Sequence, residues 1–364
     1  MTFLLQASAI IDAIANPGLL LAAFAGGAFG AAIGALPAFC FTGFMVIAGE
    51  AANLAVSAVG SAEAVSAANL GAPGITGSIA FGTVFGPHIS FAGGAAAAAY
   101  AAKKGYMDEF GFDYHEAKNI PAALGTQPDV LVVGGLFGIL GYIITAISGT
   151  VGLPWDPIAI AVVLSAVAHR LVFGYDLIGT VRGGGLFDMG PFERGEMRSS
   201  GGAAATDGGE VKERLAVEPW LGHQYEWGNV AMIGLVAGLL GGVIALTTGS
   251  AFLGFGISAA SLTFLNLGVA KIPVTHHITL PASTAALAVT GGAAEVGAAA
   301  MVVAGVFGVS GALTGEVVQR IFYAHADTHF DPPAAAIVVN TLVIALLAIA
   351  GVFSTSVWVP TLGL

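Results

Sequence analysis

Two short runs hold the residue types with the most chemistry to offer. One reads Gly86-Pro87-His88-Ile89-Ser90-Phe91 and the other Thr275-His276-His277-Ile278-Thr279-Leu280. Each sets a histidine two residues before a hydroxyl and ahead of an alanine-rich apolar stretch. Pro87 and Pro273 mark a break in each segment, because proline lacks the amide that an interior helical turn needs. Inside a bilayer, backbone groups freed by a break must meet protein, water or a ligand. A freed helix N-terminus favours an anion. Freed carbonyls with Ser90, Thr275 and Thr279 suit Na⁺, and an imidazole that titrates near neutral pH can carry a proton. His88, Ser90, His277, Thr279 and Thr275 are therefore the candidate substrate- or ion-binding residues. The plainer alternative is a pair of kinked helices whose histidines bond to neighbouring carbonyls. His276 lacks a histidine counterpart in the first run and ranks below His277.

Glu50 joins this set as a candidate coupling carboxylate. A charge in lipid is costly and usually functional, and Asn53 and Thr42 share roughly one helix face with it. Glu63, Glu295 and Glu316 fall nearer segment ends and are expected at the interfaces. Asp156 and Asp331 each precede a proline, which is the pattern of an N-cap followed by a first helical residue with no amide to satisfy. They are read as caps, not as an acidic site.

The two runs belong to a longer correspondence. Residues 131–141 align with 301–311, and Trp155-Asp156-Pro157 aligns with Phe330-Asp331-Pro332. Three matches in one order read as an internal duplication. Apolar stretches suited to crossing a bilayer fall at about 18–36, 38–59, 74–102, 129–148 and 157–174. In the second half they fall at about 229–248, 250–269, 274–292, 296–318 and 333–353. The expected fold is thus an all-α polytopic membrane protein. It has about ten transmembrane segments in two homologous five-segment repeats, with the third and eighth segments broken. Pro37 is expected to part the first two segments, and Asn229 to open the sixth.

Two topologies fit. Five crossings per half make the repeats inverted and place all eleven Lys and Arg inside or within snorkelling reach of it. Four crossings per half, with the third segments dipping in and returning, make them parallel and leave Arg320 outside. The inverted arrangement is the expectation. Residues 1–16 are expected to lie in the interface, and 17–174 and 229–364 to form the repeats. Residues 103–128 are expected to form a polar inside loop, and 175–228 a Gly-rich, charged inside linker that tethers the halves flexibly. Gly183-Gly184-Gly185 lacks the strand and helix that a phosphate cradle needs.

Composition narrows the function. Charged residues are 9% of 364 and hydrophobic ones 56%, with a mean hydropathy of +0.88, against roughly 25% charged in soluble domains. The single cysteine, Cys40, rules out an intrachain disulfide and a Cys-rich metal centre. Small residues, including 54 glycines, let helices approach closely in lipid. The net charge of −11 argues against nucleic acid as a partner and fits a high-salt cytoplasm such as that of a halophilic archaeon. No nucleotide-binding, haem or hydrolytic pattern is present, so no enzyme activity and no cofactor is expected beyond Na⁺ or H⁺ as a coupling ion. The expectation is a multi-pass protein of the cell membrane. It would act as a secondary transporter of a small solute or ion with its site between the repeats. Its partners would be the lipid bilayer, the solute and, in a homo-oligomer, its own copies. The alternatives are a passive channel lined by two half-helices, or a non-catalytic subunit of a larger membrane complex.

Overall fold

In the computed structural model, residues 8, 10–12, 14–59, 74–107, 114–198 and 214–364 are described. Among them there are helices and no strands, so the protein is all-α. Helix α1 (Pro17–Ile33) starts on Asn16, whose side chain accepts from the Leu19 amide. It stops at Gly34, where φ is +95°. That glycine, rather than Pro37, parts α1 from α2 (Ala35–Val59). Pro37 sits in the first turn of α2, where no amide is needed. Glu63 lies outside the described residues.

The third segment is broken as expected, ahead of His88. A π-helical turn at Thr76–Ala80 gives way to non-helical residues 81–86. A second π-helical turn, Pro87–Phe91, then feeds α3 (Ala92–Lys103). Next come α4 (Pro128–Val151) and α5 (Pro157–Phe173). The second half holds α6 (Trp227–Thr248), α7 (Leu253–Asn266), α8 (His276–Val289), α9 (Ala298–Phe322) and α10 (Pro332–Ile349). Helix α6 begins two residues before Asn229, which instead bonds back to Glu226 at 2.7 Å. Helices α2, α4, α6, α9 and α10 are long and apolar enough to cross a membrane. Helices α1, α5 and α7 are apolar but shorter. At 14 residues, α8 spans about 21 Å at 1.5 Å per residue, less than the roughly 30 Å hydrocarbon core.

Glycine lets these helices touch backbone to backbone. A Cβ on Gly138 of α4 would sit 2.9 Å from the Gly27 Cα of α1, and one on Gly238 of α6 would sit 2.7 Å from the Gly308 Cα of α9. The starts of the two short helices wedge into these pairs. The His88 carbonyl oxygen lies where a Gly141 Cβ would go, and the His277 carbonyl oxygen lies 2.6 Å from a Cβ built on Gly311. The Ser90 carbonyl fills the space beside Gly30, and the Thr279 carbonyl lies 2.9 Å from a Cβ on Gly241.

The described basic residues gather at one end of the bundle. Arg170 donates to the carbonyls of Leu177 (2.5 Å), Phe322 (2.7 Å) and Thr328 (2.9 Å). Arg320 donates to those of Phe187 (2.6 Å) and Tyr225 (2.8 Å). These bonds correct the picture of residues 175–228 as a flexible tether, since their described parts, 175–198 and 214–228, are pinned to both halves. Buried guanidinium groups need acceptors, and this segment supplies three of these five carbonyls, those of Leu177, Phe187 and Tyr225. In the glycine triplet, the Gly184 amide is taken by the Asp188 carboxylate at 2.7 Å. Residues 350–364 cover the other end, where Trp358 donates to Thr284 at 2.9 Å and the Leu362 amide to the Gly152 carbonyl at 2.9 Å.

Candidate functional site

A cavity of about 470 Å³ lies between the halves. Its wall takes Phe39 from α2, Pro87 and Phe91 from the π-helical turn, Phe255 from α7, and His276 and Leu280 from α8. It reaches Lys118, His329 and Asp331 toward the basic end and Asp156, Trp358 and Pro360 toward the other. The walls are mostly apolar and aromatic, with a few polar groups, as small-molecule sites usually are. Phe39 holds the middle, with its ring centroid 4.7 Å from that of His276 and 5.9 Å from those of Phe91 and Phe255.

Helical register decides which residues of the two short runs face this cavity. Successive residues of a helix turn by about 100°, so positions four apart share a face. Pro87 and Phe91 form one such pair, and His276 and Leu280 the other. His88, Ser90, His277 and Thr279 lie off this face: their backbone packs against glycines of α1, α4, α6 and α9, and the Thr279 hydroxyl meets Ser258 of α7. None of the six sequence candidates lines the cavity, whereas His276 does. The register keeps His88 and His277 off the wall of this cavity. The signal in the sequence was the four-residue spacing of Pro87 with Phe91 and of His276 with Leu280, at equivalent places in the two runs.

The candidates themselves are buried in packing. His88 and His277 are 3% and 1% exposed, and neither Nδ1 has a hydrogen-bond partner. The kinked-helix alternative, in which each histidine bonds a carbonyl, therefore does not describe their Nδ1 atoms. The His277 ring meets Trp220 at 6.0 Å. Ser90 Oγ reaches back to the Gly86 carbonyl at 3.5 Å. Thr279 Oγ1 donates to the His276 carbonyl or to Ser258 Oγ, each at 3.3 Å. Thr275 stands at the start of α8 with φ −131° and makes no side-chain cap bond.

Glu50 is buried, 6% exposed, in α2. Its Oε1 accepts from Thr76 Oγ1 at 2.7 Å and Asn53 Nδ2 at 3.1 Å, and its Oε2 accepts from Ser250 Oγ at 2.5 Å. Thr42, expected on the same face, instead donates to the Phe85 carbonyl at 2.5 Å, one of the carbonyls freed by the break.

Asp156 and Asp331 are caps. Asp156 Oδ1 accepts from the amides of Ile158 (2.7 Å) and Ala159 (3.2 Å), and Asp331 Oδ2 from that of Ala334 (2.8 Å). Both also line the cavity, which the sequence pattern did not disclose. His329 Nε2 lies 3.3 Å from Asp331 Oδ1, and its Nδ1 has no partner. Glu316, expected at an interface, is 4% exposed and pairs with Arg320 at 2.6 Å, whereas Glu295 is exposed.

The basic end of the cavity is closed by ion pairs. Lys118 meets Glu218 at 2.6 Å with both side chains fully buried. Arg214 bonds Glu218 at 3.1 Å and Asp327 at 2.5 Å, and Arg198 bonds Asp327 at 3.1 Å. Burial pushes the Lys118 ammonium below its usual range, while the Glu218 carboxylate beside it works to raise it. Burial works to raise Asp327, but Arg214, His115 and Arg198 outweigh it and hold the carboxyl down at about 2. Among the described residues, no group of three or more His, Cys, Asp or Glu side chains is placed to hold a metal.

The chain belongs to a family of unknown function (DUF7973), whose model it matches over residues 9–362. No curated protein and no solved structure matches it.

Proposed function

We propose that this protein is a secondary transporter of the cell membrane, built from two inverted five-segment repeats, that carries a small solute through the cavity between them. The observation that carries this reading is the paired junction. In each half a short helix lays a histidine carbonyl against one glycine and the carbonyl of a hydroxyl residue two positions on against another. His88 and Ser90 do so with Gly141 and Gly30, and His277 and Thr279 do so with Gly311 and Gly241. In the first half the short helix starts toward the end that residues 350–364 cover, and in the second toward the basic end. Opposed short helices around a midplane cavity are the layout of inverted-repeat transporters. The aromatic wall suits a solute with an apolar body, oriented by Asp156, Asp331, His276 and His329 at the polar points. Coupling to H⁺ or Na⁺ falls to Glu50, a buried carboxylate that ties the broken segment to α7.

Reconstitution tests this. Purified protein in liposomes should give saturable uptake of its solute, driven by an imposed H⁺ or Na⁺ gradient. Flux that is fast, uncoupled and linear with concentration would instead support the passive channel, a reading the cavity's reach toward both ends also allows.

A further inference from the structure

We infer that Glu50 is a proton-operated latch between the two halves: as a carboxylate it clamps the broken segment to the start of α7, and on taking a proton it lets go. The inference rests on the transporter reading and narrows its coupling ion to H⁺.

Three elements meet at this side chain. Glu50 comes from α2. Thr76 opens the first π-helical turn of the broken segment, and a Cβ on Gly49 would strike its backbone, so the turn is pressed against α2. Ser250 belongs to the second half, 200 residues away in sequence. Its Oγ accepts from the amides of Phe252 (3.2 Å) and Leu253 (3.0 Å) in the first turn of α7. With two amides pointing at its oxygen, the Ser250 hydroxyl must spend its own hydrogen on Glu50 Oε2. Thr76 and Asn53 supply hydrogens to Oε1. The carboxylate is thus held by three neutral donors.

Among the described residues no ion pair reaches Glu50, and its hydrogen-bond partners from α2, residues 74–86 and residues 248–266 are all neutral. A carboxylate buried in an apolar surrounding without a counter-ion is costly, and binding a cation relieves that cost. The contacts favour a proton over Na⁺. The hydroxyl oxygens of Ser250 and Thr76 sit 2.5 and 2.7 Å from the carboxylate, which is hydrogen-bond spacing with no metal-sized gap between them.

The step balances simply. A proton from water adds to Oε2 and forms an O–H bond. That oxygen then becomes a donor facing a hydroxyl that is also donating. Ser250 must either turn its hydrogen away or give up the amides of α7. If Ser250 turns its hydrogen away, the bond that joins the halves is lost; if it gives up an amide, that bond reverses direction and the first turn of α7 loses its hold, while Thr76 and Asn53 can stay on Oε1.

Hydrogen–deuterium exchange on the purified full-length protein, without any solute, reads the latch directly. After correction for the intrinsic pH dependence of exchange, peptides covering 74–86 and 249–256 are expected to exchange about tenfold faster at low than at neutral pH. In Glu50→Gln, which mimics the protonated side chain, they should exchange fast at both. Glu50→Asp, which keeps the charge, should retain a pH response, and each variant's elution as a single species checks that it folds. Equal protection at both pH values, or a Glu50→Gln protein indistinguishable from wild type at neutral pH, overturns the latch. Protection that follows Na⁺ concentration at fixed pH overturns the choice of proton. A working latch in a protein that shows no gradient-driven flux would defeat the transporter reading and leave the latch standing.

Discussion

The ring of Phe39 stacks at a tilt on that of His276, with centroids 4.7 Å apart, and its other side meets Phe91 at 5.9 Å. One residue of α2 thereby touches the first turns of both short helices, and the cavity opens around it. Phe39 is only 6% exposed. Phe39→Ala is expected to lower stability by about 3 kcal/mol, the lower end for truncating a buried phenylalanine, since the space beside it is already partly open. Phe39→Leu should cost less than half of that. Thermal unfolding in detergent measures both, and equal melting of Phe39→Ala and wild type would show that the contact does not hold the helices.

The two junction glycines should not tolerate a methyl group equally. A Cβ on Gly141 would overlap the His88 carbonyl oxygen, whereas one on Gly311 would stand 2.6 Å from that of His277. Gly141→Ala is expected to cost about 3 kcal/mol or more, and Gly311→Ala about 1–2 kcal/mol, the range for overpacking a tight interior. Because the obstacle is backbone, side-chain rotation cannot relieve it. The order of the two melting temperatures is the check, and a reversed order would contradict this packing.

Cap chemistry separates charge from structure at Asp156 and Asp331. Asparagine caps nearly as well as aspartate, whereas alanine loses about 0.5–2 kcal/mol. The Asn variants should therefore melt within about 0.5 kcal/mol of wild type. Asp156→Ala should lose more than Asp331→Ala, because Asp156 accepts from two amides and Asp331 from one. Matching losses for Asn and Ala at either site would mean that the carboxylate's charge, not its cap, carries the stability.

Acid should loosen the ion-paired end first. Asp327 titrates near 2 when folded and near 3.8 when free. Between those values the unfolded chain binds more protons than the folded one, so stability falls as the pH drops from about 4 toward 2. The contribution is fully present above the free value. Asp327→Asn should remove this part of the acid slope while being less stable than wild type at neutral pH. Parallel acid melting curves for the two proteins would show that the Arg198 and Arg214 contacts do not perturb Asp327.

Of the paired histidines, the one that lines the cavity should matter most to the solute. His276→Ala is expected to weaken apparent affinity in a liposome uptake assay at least several-fold. His277→Ala, whose ring lies against Trp220 at 6.0 Å, should act mainly on stability. The opposite ranking would place the solute on the other face of α8.

Much of this protein is legible in its residue order because lipid leaves the chain few options. A backbone without water must close its own hydrogen bonds, so apolar stretches become helices and their ends fall at caps and glycines. Asp156 and Asp331 act as caps as their positions imply, and the interruption before His88 follows from Gly86-Pro87. The sequence also marks the candidates worth weighing, His88, His277 and Glu50, because polar atoms in apolar runs are rare and costly. Tertiary packing alone decided what those atoms face. A turn of about 100° per residue separates His276, on the cavity, from His277, behind it, and only the seating of α8 against α6 and α9 selects between them. The same holds for Glu50, whose partner Ser250 lies 200 residues away, and for residues 175–198 and 214–228. Their glycines suggest a loose tether, yet their carbonyls are held by Arg170 and Arg320 from other parts of the chain. Local spacing sets which face a residue occupies, and only long-range packing sets what that face meets.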